Sequence, residues 1–495
     1  MKKIGRRRFL GQASCAGIGS ITFMNSLLNL KAIQSAAISN SSVYDNYNDY
    51  KAIVCILLAG GNDSYNMLVP YDNTSYQHYV TARSGLYNQG GLALGKPPTY
   101  TNGNLDTGSN LNAGHLTGYN VGGKEWAVHP QMTRVRDLFL NNRLAFLANT
   151  GTKLKKNTTK THYQNNQYMP LGLFSHADQI QQWQTGIPNE RSAKGWGGKM
   201  ADLIGDCNAN QNISMNVSLS GSNIFQTGNV TVEYAIDPFQ GAVGLDGYDP
   251  NSMYLTELLR SQAVNSLIDQ THQDIFKSTY MDVVKNARDG FLEFDAALQN
   301  SYMFGANDFP DTYFGSALEM IARTISIRNA LGFKRQVFFV TVGGWDHHDE
   351  VLNNQFGMLS MVSDALGSFQ DAMAPSILNT ENDVLTMFIS EFGRTIKSNG
   401  NGSDHAWGGN TIVMGGPSLV NGGQIYGNYP SMDLDNNVDN LDGSGRFIPD
   451  LSTDEYFAEV AKWFGVPDTD LTMLFPNLEE FYTPSPTLPI GFLNI

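Results

Sequence analysis

The stretch Gly343-Gly344-Trp345-Asp346-His347-His348-Asp349-Glu350 follows directly on the apolar run Val337-Phe338-Phe339-Val340-Thr341-Val342. A β-branched and aromatic run of that length, stopped by two glycines, predicts a buried parallel strand that delivers polar side chains at its carboxyl end. Open α/β sheets keep their chemistry at that edge. Acids and imidazoles packed this closely would repel or titrate one another if buried alone, whereas a divalent cation accepts both donor types. The octapeptide therefore predicts a metal site. The plainer alternative is a solvated loop whose aspartate caps the next helix.

Two other strands repeat the pattern. Tyr50-Lys51-Ala52-Ile53-Val54-Cys55-Ile56-Leu57-Leu58 predicts a central first strand that ends in Ala59-Gly60-Gly61-Asn62-Asp63-Ser64, so Asp63 falls where Asp346 does. That turn lacks both the lysine of a phosphate-cradling loop and the three glycines of a dinucleotide fingerprint. Asp383-Val384-Leu385-Thr386-Met387-Phe388-Ile389 runs into Ser390-Glu391-Phe392-Gly393-Arg394-Thr395. Glu391 is then a third acid at a strand's carboxyl end, and the planar fork of Arg394 suits an oxyanion. His405, in Ser403-Asp404-His405-Ala406-Trp407, precedes the apolar run Thr411-Ile412-Val413-Met414, so it reaches the other groups only if its loop folds back. Ser175-His176-Ala177-Asp178 opens a helix. Ser175 is there an N-cap with Asp178 at capping-box spacing, or a nucleophile at a helix end that stabilises anions.

The rest of the chain alternates in the same way. A helix carrying Met132, Val135, Leu138 and Phe139 leads into a strand over 144–148; a helix near 198–204, a strand near 213–219, helical periodicity over 253–330 and a helix over 355–373 follow. Residues 65–123 are rich in Asn, Gly, Tyr and Thr without periodicity, which predicts a long loop. No repeat emerges. The expectation is a single α/β domain from residue 50 to 495, with a mostly parallel sheet covered by helices on both faces.

Lys2, Lys3 and Arg6-Arg7-Arg8-Phe9-Leu10 stand before a weakly apolar stretch, and Ser35-Ala36-Ala37 supplies a small-residue cleavage site. This predicts a twin-arginine signal over residues 1–37, a linker over 38–49, and a periplasmic or extracellular protein. Cleavage would remove Lys2, Lys3, Arg6, Arg7, Arg8 and Lys31 and no acid, so the formal charge of -14 would become -20. Such a surface disfavours nucleic acid and anionic membranes. Cys55 and Cys207 are expected as separate thiols, and no later run is long and apolar enough to span a bilayer.

The signal, Gly60-Gly61-Asn62-Asp63, Ser175-His176, Trp345-Asp346-His347-His348, the Ser390 to Thr395 segment and Asp404-His405 followed by Gly415-Gly416 resemble, in that order, the secreted family catalogued as domain of unknown function 1501. That family has no established activity and is in turn similar to the alkaline phosphatase and sulfatase superfamily. The resemblance implies an alkaline phosphatase-like three-layer sandwich, with Asp63, Asp346, His348 and His405 as metal ligands and Ser175 as the nucleophile. Glu391 falls where that superfamily has the Asp of an Asp-His pair, and Phe392 stands in place of the His, which speaks against a second tightly bound zinc. The expected centre thus holds a divalent ion (zinc, calcium or magnesium) on Asp63, Asp346, His348, Glu391 and His405. Ser175, His176 and Arg394 are its catalytic groups. The expected activity is metal-dependent hydrolysis of phosphate or sulfate esters, on an anionic ester or glycan-type small molecule. The alternative is a non-catalytic, metal-stabilised secreted or cell-surface protein that binds a glycan or another protein on a degenerate phosphatase fold.

Overall fold

The computed structural model describes residues 47–96, 117–121, 123–245, 247–270 and 273–495, so the expected export signal and most of the linker lie outside the described residues. In chain order its elements are β1 (Lys51–Leu58), β2 (Leu68–Pro70), α1 (Asn73–Ala82), β3 (Thr117–Val121), β4 (Lys124–Val128), α2 (Thr133–Leu140) and β5 (Leu144–Gly151). Then come α3 (His176–Thr185), α4 (Trp196–Ile204), β6 (Asn216–Ser218), β7 (Tyr234–Asp237), β8 (Gly241–Ala242), α5 (Leu255–Ile268), α6 (Ile275–Leu298) and α7 (Tyr313–Ser326). The last third holds β9 (Arg335–Val342), α8 (Val351–Met373), β10 (Val384–Ile389), β11 (Gly409–Met414), β12 (Ile425–Tyr426), β13 (Leu451–Ser452) and α9 (Thr453–Phe464). Residues Asp49–Ile495 form one compact unit.

One sheet runs in the order β12-β5-β11-β10-β1-β9-β6-β7-β8, with β13 also on β5. At its centre β1 lies parallel to both β10 and β9. β11 is antiparallel to β10 and to β5, so β5 points the same way as β1. The four apolar runs at β1, β5, β9 and β10 therefore share one mostly parallel sheet, as their composition implied.

The alternation of side chains along β1 assigns the layers. Ala52, Val54, Ile56 and Leu58 pack into a core with Val135 of α2, Ile321 of α7 and Leu359 of α8. On the other face Phe339 of β9 meets Phe225, Trp196 of α4 stacks on Phe457 of α9 with ring centroids 4.9 Å apart, and Trp183 of α3 lies against the same phenylalanine. A strand covered on both sides must be apolar throughout, which is why β1 is buried at every position after Lys51.

The expected loop over 65–123 is in part ordered structure. It contributes α1 and two strands, β2 and β3, that pair with β4 in a small antiparallel sheet of order β2-β4-β3. Asp72 caps α1 by accepting from the Ser75 amide at 3.0 Å, and Tyr76 and Tyr79 are its buried face. Tyrosines, not aliphatic residues, carry that face, so an aliphatic periodicity does not show it. Cys55 and Cys207 are free thiols, and among the described residues no helix is long and apolar enough to cross a membrane.

Candidate metal centre

Parallel register sets the exits of three strands side by side. Leu58 pairs with Val342 and Leu57 with Ile389, so β1, β9 and β10 leave the sheet at one level. The Trp345 amide donates to the Ala59 carbonyl at 3.1 Å, and the Gly60 amide donates to Glu391 Oε1 at 2.7 Å. Gly60 has to be glycine: its φ is +126°, and a Cβ there would lie 2.3 Å from the Asp346 nitrogen.

His405 arrives by another route. Because β11 is antiparallel to its neighbours, its amino end lies at the edge where the parallel strands finish. The pairing continues past the strand: the Gly393 amide donates to the Trp407 carbonyl, the Ala406 amide to the Gly393 carbonyl, and Arg394 bridges to His405. No folding back is needed. His176 is the first residue of α3, and Phe174, two residues before it, has a φ of +74°, a strained value for an aromatic residue. The Phe174 carbonyl accepts from His405 Nδ1 at 2.9 Å.

Four side chains meet here. Ligand atoms of His176, Asp346 and His405 all lie within 4.8 Å of one another. His405 Nε2 is 3.1 Å from His176 Nε2 and 2.9 Å from His348 Nε2, and Asp346 Oδ1 is 3.1 Å from His348 Nε2. The outer nitrogens explain the inner ones. His176 Nδ1 faces Glu391 Oε1 at 2.7 Å, His405 Nδ1 faces the Phe174 carbonyl, and His348 Nδ1 faces Asp404 Oδ1 at 3.2 Å. In the tautomer with the proton on Nδ1, each of these oxygens accepts from the facing Nδ1 and each Nε2 presents a lone pair. Three lone pairs turned towards one another beside a carboxylate repel unless a cation stands among them. Imidazoles held from behind by carboxylate or carbonyl oxygens are the usual second support of metal ligands.

Charges favour the same state. Partial burial pushes the Asp346 carboxyl up, but the Arg394 guanidinium, 2.8 Å away, outweighs it and holds the group below the usual carboxylate range. Burial likewise opposes ionisation of Asp404, and hydrogen bonds from Asn399 and His348 overcome it. For His405, burial and the nearby Arg394 lower the pKa against the Phe174 hydrogen bond, so the ring stays neutral. Phe392 fills the floor, its ring centroid 4.6 Å from that of His405 and 4.8 Å from that of His176.

The expected residues divide. Asp346, His348 and His405 come together as proposed ligands, and His176, expected as a catalytic group, joins them as a third imidazole. Glu391 stands behind His176, with Oε1 occupied by two N–H groups. Asp63 is not at the centre: it is fully buried in a bidentate ion pair with Arg83, at 2.6 and 2.8 Å, with Ser403 on one oxygen. Ser175 Oγ accepts from the Asp178 amide at 3.5 Å and caps α3. Arg394 is fully buried and directed at Asp346, so it positions that carboxylate rather than facing solvent. Arg83, Asp404 and the Phe174 carbonyl were missed. Asp404 could have been suspected from its place beside His405; nothing in sequence marks a carbonyl or links Arg83 to Asp63.

The chain matches the family described as Protein of unknown function (DUF1501) over residues 50–444. It belongs to that family. The DUF1501 region takes in every member of the cluster and stops short of α9. Comparison with curated proteins returns no match. Among solved structures, the crystal structure of Ps i-CgsB in complex with k-i-k-neocarrahexaose is similar at 10% identity and a TM-score of 0.32, over 88% of this chain and 78% of that one. A second crystal structure of Ps i-CgsB is similar at 10% identity and a TM-score of 0.28, over 78% and 70%.

Proposed function

We propose that this protein is an exported, metal-dependent hydrolase of phosphate or sulfate esters. The observation that carries the reading is the group His176, Asp346 and His405, whose ligand atoms lie within 4.8 Å of one another, with His348 Nε2 adjoining it at 2.9 Å from His405 Nε2 and 3.1 Å from Asp346 Oδ1, and with an oxygen facing each of the three Nδ1 atoms. Three imidazoles and one carboxylate suit zinc better than calcium or magnesium, which prefer oxygen ligands. Bound there, the ion would supply Lewis acidity and lower the pKa of an attacking group. The chain's own residues do the rest. Glu391, the Phe174 carbonyl and Asp404 fix the tautomers, and Arg394 keeps Asp346 ionised. Ser175 sits at the amino end of α3 next to His176, where helix amides favour an anionic ester. Export rests on Arg7-Arg8 and the apolar stretch behind them.

A second reading, a metal-stabilised binding protein, is favoured by two observations: Arg394 is wholly buried, and Ser175 Oγ is engaged as a cap. The two readings separate on the bench. Protein purified without chelator is assayed for metal and for turnover of activated aryl phosphate and sulfate esters. The hydrolase reading expects bound zinc, loss of metal and turnover in Asp346→Asn, and loss of turnover with metal retained in Ser175→Ala. A missing N-cap alone costs about 0.5–2 kcal/mol of stability. Metal-loaded protein that hydrolyses no ester sinks the hydrolase and leaves the binding protein.

A further inference from the structure

The supports behind the three imidazoles are unequal. His176 and His348 each have a carboxylate facing Nδ1, from Glu391 and Asp404, whereas His405 Nδ1 faces the Phe174 carbonyl at 2.9 Å. A neutral carbonyl is the weaker acceptor. It also belongs to a residue with a φ of +74°, a conformation that persists only where the surroundings over-determine it. Those surroundings include a side chain from a distant part of the chain. Arg446 Nε donates to the His405 carbonyl at 2.6 Å, and the Arg446 guanidinium carbon lies 5.2 Å from the centroid of the Phe174 ring. The Tyr163 ring meets Phe174 as well, with centroids 6.4 Å apart. One guanidinium thus touches both residues of the hydrogen bond that orients His405.

The loop that carries Arg446 is itself fixed. The Leu441 amide donates to the Arg446 carbonyl and the Ile448 amide to the Asp439 carbonyl, both at 3.0 Å, which closes residues 439–448 into a tight antiparallel loop. The loop is tied to its neighbours at two points: the Lys397 amide donates to the Ser444 carbonyl at 2.9 Å, and the Gly408 amide, on the approach to β11, donates to the Phe447 carbonyl at 3.0 Å. Arg446 Nη1 is paired with the Asp442 carboxylate. A residue needed only to neutralise Asp442 could be a lysine. A planar fork that meets an acid, a carbonyl and a ring face at once suits arginine. We infer that Arg446 is a positioning residue of the metal centre: by joining the His405 backbone to Phe174 it fixes the direction of the His405 ring. The consequence for metal affinity rests on the metal reading above; the hold on His405 does not.

Two measurements on the full chain test it, one of them free of metal. In chelator, with histidine labelled by nitrogen-15, the His405 Nδ1 proton is identified by NMR as the signal missing from His405→Ala, and its exchange with water is timed. Arg446→Ala should speed that exchange by at least roughly tenfold, as local opening becomes easier. With metal, zinc affinity is read by competition with a chelator, and ligand geometry by the visible spectrum of the cobalt-loaded protein. Arg446→Ala should bind zinc about 10–100-fold more weakly and give an altered cobalt spectrum. Arg446→Lys keeps the charge without the fork and should fall between parent and Arg446→Ala; it carries the same test if Arg446→Ala folds poorly. Parent-like exchange overturns the inference, and so does a parent-like zinc affinity or cobalt spectrum. A parent that takes up neither zinc nor cobalt sinks the metal reading instead, and the exchange rate alone then decides for or against Arg446.

Discussion

At the scale of the residue, two buried acids close to the centre do opposite jobs, and substitution should separate them. Asp63 is neutralised by Arg83 and contacts none of the converging imidazoles, so Asp63→Asn should leave metal stoichiometry intact. The cost falls on the fold: an unpaired guanidinium remains buried, which destabilises by about 3–5 kcal/mol. Glu391→Gln should do the reverse, with metal affinity falling about 10–100-fold as the support of His176 weakens and the unfolding midpoint nearly unchanged. Metal content measured beside a denaturant titration reads both, and equal metal loss in the two variants would return Asp63 to the ligand set. The sequence placed both acids correctly at strand ends. It could not distinguish them, because an acid at that edge is equally served by a metal or by an arginine from elsewhere in the chain. Asp454, in the first turn of α9, offers a separate test. It is fully buried, and burial pushes its carboxyl well above the usual range. A raised carboxyl binds its proton in the folded state while the unfolded chain has released it, so stability falls as pH rises above about 3.9, the unfolded value. Asp454→Asn removes that term. The variant should therefore gain stability over the parent at neutral pH, with the gap closing as pH falls to about 4; a gap independent of pH in thermal melts would contradict the assignment.

Among the elements, the strands that build the site were legible in proportion to their burial. β1, β9 and β10 are covered on both faces and so write continuous apolar runs, and each run stops at the polar residues it delivers. The direction of β11 was not legible, because an apolar run is the same read parallel or antiparallel. That single fact decides where His405 goes. The small sheet β2-β4-β3 escaped notice for a different reason: its strands are short, and its neighbouring helix packs through tyrosines. The exits of β1 and β9 are held at contact distance by Gly60, and this gives a prediction for the joint. Gly60→Ala places a methyl against the Asp346 backbone at a φ of +126°, where no side chain can move aside. The strain and overpacking should cost about 1–3 kcal/mol each. Because the displaced atom belongs to Asp346, metal should be lost along with stability. Gly60→Ala protein with normal metal content would show that the centre tolerates separation of the two strands.

On the scale of the whole molecule, the centre gathers side chains from position 176 to position 405, from the start of α3, the exit of β9 and the approach to β11. Unfolding disperses all of them, so an ion bound there belongs to the folded state alone. Its stabilisation then follows mass action: about 4.1 kcal/mol when free ion exceeds its dissociation constant a thousandfold. In a unit of this size that amounts to a midpoint shift of a few degrees, since roughly 2–4 °C per kcal/mol applies to smaller domains and the figure falls with length. Thermal melts in chelator should therefore lie below melts in excess zinc, and added zinc should restore the higher value. His405→Ala supplies the control, because it removes the imidazole that lies closest to both others. That variant should melt at a lower temperature and respond to neither chelator nor zinc. A parent protein whose midpoint is the same in chelator and in zinc would mean that the imidazoles hold no metal.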